Sequence, residues 1–132
     1  MAAFTSLEFK QNGPQILKTD ANKIALVKNV AKADSYATVL TKIVAGTDFA
    51  AADVSFAANG NDLRATFAAK SGVAVSAAAL ITDDLSVIVY STTTSKVHLC
   101  QNVTDRDITA NPGDKADIPI FTFDVKEPPA AV

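Results

Sequence analysis

The sequence predicts a mainly β fold, a small antiparallel sandwich or barrel with one short α-helix. Three observations carry this expectation. Short runs of β-branched and aromatic residues alternate with a period of two, as strands with one buried face do. Turn-forming clusters, among them Asn59-Gly60-Asn61-Asp62, Thr82-Asp83-Asp84 and Asn111-Pro112-Gly113-Asp114, separate those runs. A single segment near residue 40 instead repeats its apolar residues at helical spacing.

Taken in chain order, residues 4–9 alternate, with Thr5, Leu7 and Phe9 on one side, and read as a first strand that Gln11-Asn12-Gly13-Pro14 ends. Residues 15–19 and 23–30 are short apolar runs around Asp20-Ala21-Asn22, read as two strands and a turn. In residues 34–45, Tyr36, Val39, Leu40, Ile43 and Val44 recur at i, i+3, i+4, i+7 and i+8, which places one helix over about Ser35 to Ala45. Asp34 is a candidate N-cap for it and Gly46 a candidate terminator. Residues 54–58 and 63–70 flank the Asn-Gly cluster as a hairpin. Ser71-Gly72 turns into a strand with Val73, Val75 and Ala77 on one face. Residues 85–90 alternate Leu85, Val87 and Val89 with Ser86, Ile88 and Tyr90. Residues 91–95 read as a loop and residues 96–101 as a strand. The last strand spans residues 118–125, with Phe121, Phe123 and Val125 on one face. Pro119 lacks a backbone donor, which suits the start of an edge strand. No linker or repeat divides the chain, so the expectation is one domain over residues 1–132, with an N-terminal arm over 1–15 and a C-terminal tail over 126–132.

The totals narrow the function classes. The chain has 132 residues, enough for one domain with a real core. Its 12 basic and 14 acidic residues leave a net charge of −2, and the basic ones form no block. A nucleic-acid surface needs clustered cations to displace phosphate counterions, so none is expected. The longest wholly apolar run, residues 77–81, is far short of the ~20 residues that span a bilayer. The first residues lack the basic start and apolar run of a signal peptide, so a soluble protein used without export is expected. Hydrophobic residues make up 48% of the chain, many of them alanine. That fits either an alanine-rich core or a subunit whose surface neighbours partly cover.

Little in the chain points to catalysis. His98 and Cys100 are the single histidine and single cysteine, two apart on one predicted strand and so on one face. A nucleophilic pair needs hydrogen-bond contact, which i, i+2 neighbours do not favour. Two ligands make a poor zinc site. Asp105 and Asp107 near Asn102, and Asn59, Asn61 and Asp62, offer oxygens to a hard cation, but residues of these types are also what turns require. No catalytic residue, cofactor or metal is expected.

The second half carries a longer pattern. Ala52-Asp-Val-Ser55 is followed by Gly60-Asn-Asp-Leu-Arg-Ala-Thr-Phe-Ala-Ala-Lys-Ser-Gly-Val-Ala-Val75 and by Asp84-Leu-Ser-Val-Ile-Val-Tyr-Ser-Thr-Thr94. Then come Gly113-Asp-Lys-Ala-Asp-Ile-Pro-Ile-Phe121 and Val125-Lys-Glu-Pro128. Together with the preceding helix, this resembles small virion proteins of tailed bacteriophages that sit beside the major capsid protein and decorate or cement the head. The resemblance implies a non-enzymatic protein made in the host cytoplasm and carried on the virion. It would bind the major capsid protein, as a homotrimer, with neither nucleic acid nor membrane as partner. Its interface residues are expected on arms and edges: Phe4, Leu7, Phe9, Pro119, Phe121, Phe123, Pro128, Pro129 and Val132. The alternatives are another virion part, such as a tail, neck or fibre-base protein, or a small ligand-binding β-domain in which His98, Cys100 or an aspartate pair would line a cleft.

Overall fold

The computed structural model describes residues 13–103 and 109–126. The predicted first strand lies outside the described residues. So do Phe4, Leu7, Phe9, Pro128, Pro129 and Val132, together with Asp105 and Asp107.

The described chain is mainly β and its paired strands are all antiparallel, as the alternation predicts. It begins with one helical turn, α1 (Ile16–Thr19), followed by β1 (Lys23–Lys28), a second short helix α2 (Tyr36–Leu40) and β2 (Ile43–Asp48). A single 3-10 turn at Ala51–Asp53 leads into the hairpin β3 (Val54–Asn59) and β4 (Asp62–Phe67). Then come β5 (Lys70–Ala74), β6 (Leu85–Ser91), β7 (Lys96–Asn102), β8 (Lys115–Ile118) and β9 (Phe121–Val125). The sheets run β2-β1-β6-β7, β3-β4-β9 and β5-β8. One core, with Ile24, Leu26, Val87 and Val89 from the first sheet, Val54, Ala65 and Phe67 from the second and Val73 and Ile118 from the third, lies between them in a sandwich-like arrangement.

The Asn-Gly hairpin forms as predicted. Asn59 pairs with Asp62 around Gly60 and Asn61, and Gly60 takes φ 62° at the first central position, where a two-residue turn of this kind requires positive φ. At residues 111–114 the Asp114 carboxylate accepts from the Asn111 N–H at 2.9 Å, a self-contained turn.

Six expectations are corrected. Residues 15–19 are not a strand: Pro14 and Gly13 start a helical turn, with the Ile16 and Leu17 N–H groups donating to the Gly13 and Pro14 carbonyls. The helix of residues 35–45 stops at Leu40, and β2 starts at Ile43. Ser35, not Asp34, is its cap, accepting from the Thr38 N–H at 3.2 Å. Asp34 instead accepts from the Ala31 N–H and from Lys42. The β-branched Ile43 and Val44 satisfy both periods, and pairing with β1 decides for strand. Gly46 accordingly lies inside β2, where an added Cβ would meet the Ala25 Cβ at 3.2 Å. Ser71-Gly72 is a bulge within β5, not a turn before it; Gly72 has φ 66° and donates to Asp117 at 2.9 Å. Finally, residues 118–125 are not one strand. Pro119 and Ile120 break it, so that β8 pairs with β5 while β9 pairs with β4. Pro119 forms the corner where the chain changes sheets, and β9 is the edge of its sheet.

The alternation in β6 predicts one buried face, yet all its residues are buried. The outer face of the first sheet holds a second core of Ala25, Val27, Ile88 and Tyr90, covered by Val39 of α2 with Tyr36 and Leu40 beside it. The Tyr36 and Tyr90 rings meet at 6.3 Å.

Candidate functional site

His98 and Cys100 do not form a pair. Val89 pairs with Leu99 but Tyr90 with Val97, so His98 is the extra residue of a β-bulge. The bulge frees its side chain from strict alternation, and the ring reaches Asp20, in the turn between α1 and β1. His98 Nε2 lies 2.7 Å from Asp20 Oδ2. Cys100 is an exposed free thiol on the edge strand β7.

Asp20 is the hub of this polar cluster. Oδ2 also accepts from the Thr94 hydroxyl at 2.6 Å, and Oδ1 from the Ser91 hydroxyl at 3.2 Å. Ser91 Oγ in turn accepts from the Thr93 and Thr94 N–H groups, both at 3.2 Å. The cluster therefore contains Ser, His and Asp, but in the wrong connectivity for nucleophilic catalysis. A triad places histidine between the carboxylate and the hydroxyl, whereas here the carboxylate stands between the other two. Ser91 is moreover fully buried and occupied with its own turn. What the cluster does is tie the turn before β1 to the β6–β7 hairpin.

The Thr94 hydroxyl first, and His98 next, hold the Asp20 carboxyl below the usual carboxylate range, against a smaller opposing effect of burial. Because its folded value lies below the unfolded value of about 3.9, Asp20 stabilises the fold above that pH and loses this contribution as pH falls through the folded value. Asp20→Asn should therefore lower the denaturant midpoint at neutral pH. The gap between wild type and variant should close as the pH drops below about 3.9. Denaturation series at stepped pH check this, and a gap that widens toward acid would contradict it.

Among the described residues, other polar candidates are engaged in turns and ion pairs. Asp83 accepts from the Leu80 N–H and from Asn29, at 2.8 and 2.9 Å. Asp62 pairs with Lys126 at 3.2 Å beside the hairpin. Among the described residues no three His, Cys, Asp or Glu side chains gather as metal ligands. On the outer face of the second sheet Arg64 forks onto both oxygens of Asp124, at 2.9 and 3.0 Å, which holds that carboxyl below its ordinary range.

The interface candidates within the described residues divide. Phe121 is committed inward, its ring stacked on Phe67 with centroids 4.4 Å apart. Phe123, on the same face, remains 38% exposed. Pro119 is half-buried at its corner, and the next residue, Ile120, is 64% exposed. Leu80 and Ile81, in the turn before β6, stand 61% and 58% exposed. These three aliphatic side chains were not singled out in the sequence. Leu80 and Ile81 fall between the predicted strands, where alternation assigns no face, and Ile120 falls in the strand expected over residues 118–125, on the face opposite Phe121, Phe123 and Val125. No helix of the described chain is long and apolar enough to cross a membrane. Neither protein-family models, nor curated proteins, nor solved structures yield a match to this chain.

Proposed function

We propose that this chain is a structural virion protein that binds and stabilises the surface of a tailed-phage head, with the major capsid protein as its partner and a homotrimer as its assembled form. The reading rests on the motif pattern between residues 52 and 128. The observation that carries it furthest is the exposure of Leu80 and Ile81 at a turn closed by the Asp83 N–H donating to the Leu80 carbonyl, and of Ile120 at the corner between β8 and β9. Large aliphatic side chains left open to water gain free energy when a partner covers them, and aliphatic side chains lose less rotamer freedom than long charged ones on being covered, so they suit a contact surface. A cement works by bridging neighbours, and each copy contributes its own small increment of binding. The polar cluster at Asp20 supports the frame in this reading and performs no chemistry.

Quantitative peptide mass spectrometry of purified particles tests the proposal. Hundreds of copies per particle are expected for a head protein. Six or twelve copies would move the chain to the neck, tail or fibre base, and absence from particles would overturn the virion reading altogether.

A further inference from the structure

The helix α2 covers only part of the outer face of the first sheet. Ile88 and Tyr90 of β6 are buried on that face, with Val39, Tyr36 and Leu40 packed above them. Their register partners on β7 are Cys100 and Val97. The bulge at His98 puts these two, although three residues apart, on the same outer face. Cys100 is nevertheless exposed, where Ile88 beside it is 0% exposed. The cover therefore ends between β6 and β7.

A groove of about 600 Å³ follows that boundary. Val30, Lys32 and Tyr36 line one side of it, and Lys96, Val97 and Cys100 of β7 the other. Asp34 also lines it, but its carboxylate accepts from the Lys42 ammonium at 2.6 Å and from the Ala31 N–H at 2.9 Å, which hold it below the ordinary carboxylate range. Lys32 and Lys96 are exposed, so the charges that the groove presents to solvent are cationic. Among the described strands β7 is an edge of its sheet, seven residues long and without proline. The opposite edge, β2, is covered: Ala45 bridges to Val75, and the Ser76 N–H donates to the Val44 carbonyl at 2.8 Å.

We propose that this groove docks an extended, acidic segment of a partner protein, added as a strand along β7. Three features select that occupant. An edge strand offers its outward N–H and C=O groups to a further strand. Seven residues at about 3.3 Å each give a platform of roughly 20 Å, the length of a strand and longer than a small ligand. Side chains of a paired strand alternate between faces, so a segment of alternating apolar and acidic residues sets the first against Val97 and Tyr36 and the second near the ammonium groups of Lys96 and Lys32. The inference goes beyond the proposed virion role. It adds a cationic, backbone-mediated contact to the aliphatic one at Leu80, Ile81 and Ile120, and it stands whichever protein supplies the segment.

Cys100 is the single cysteine and lines the groove, so its rate of alkylation by a maleimide dye reports occupancy. The probe is a blocked peptide of about eight residues alternating valine and glutamate, a length matched to β7. Saturating peptide should slow alkylation about fivefold or more. Peptides with lysine in place of glutamate, or N-methylated throughout and so unable to donate, should leave the rate within about twofold of that without peptide. In the double variant Lys32→Glu and Lys96→Glu, which changes only exposed side chains, protection should pass from the glutamate peptide to the lysine peptide. A glutamate peptide that gives no protection at millimolar concentration overturns the proposal. Equal protection by the lysine peptide or by the N-methylated one also overturns it, because charge or strand pairing would then not select the occupant. Equal protection by single-stranded oligothymidylate would make the groove a nucleic-acid site, and alkylation that slows with protein concentration alone would make a second copy the occupant; either result overturns it. None of these outcomes depends on whether the protein is found on virions.

Discussion

Phe67→Ala should lower the unfolding free energy by about 3–5 kcal/mol, the range for truncating a fully buried aromatic residue. Phe67 is fully buried at the end of β4. It stacks on Phe121 at 4.4 Å and meets Phe49 at 6.2 Å, so one side chain joins β4, β9 and the segment after β2. Removing it deletes the apolar area and leaves a cavity that strands paired on both sides cannot collapse to fill. Domains of this size are stable by only about 5–15 kcal/mol, so the variant would stand near the threshold of folding. Urea denaturation should show a lower midpoint with an unchanged slope. A loss below about 1 kcal/mol would mean that the sheets do not meet at Phe67.

Ile88→Ala should cost about 2–5 kcal/mol, and thermal unfolding should move down by roughly 10 °C. Ile88 sits on the opposite face of β6 from the main core, between Ala25 and Cys100 in register. A sandwich with one solvated sheet face would leave it half exposed, and the change would then cost little. It is instead fully buried in the second core with Val39 and Tyr90. A small effect at Ile88 together with a large one at Phe67 would show that α2 does not cover this face in solution.

These two residues mark where the sequence was legible. Phe67 and its hairpin could be read because the Asn-Gly turn and the alternation in β4 are local properties. Ile88 could be placed in a strand, and with Tyr90 it makes the second face of β6 apolar, but the helix that covers that face lies far away in the chain and β6 does not identify it. The helix over residues 35–45 was half right: Tyr36, Val39 and Leu40 do form a helical face, but Ile43 and Val44 fit either period and only pairing with β1 resolves them. The strand expected over residues 118–125 breaks at Pro119: β9 is an edge strand, as the missing donor suggests, but the change of sheet at the proline is set by pairing with β5 and β4 and is not visible in the alternation. The same limit applies to chemistry. Asp20 reads as a turn residue, and its contacts with Ser91, Thr94 and His98 arise from tertiary folding and from a bulge that alternation does not foresee. Leu80 and Ile81 end an apolar run and Ile120 falls inside an expected strand, so their exposure comes from breaks between elements that only the tertiary pairing reveals.

The proposed role requires a capsid surface that covers this frame. The most direct measurement is co-sedimentation of the purified protein with expanded phage heads that lack it, as wild type and as a variant with Leu80, Ile81 and Ile120 changed to serine. The account predicts saturable binding of the wild type, together with higher resistance of the heads to heat or dilution. The variant should bind at least tenfold more weakly, about 1.4 kcal/mol, while folding normally. Wild-type protein that stays in the supernatant at every concentration would contradict it.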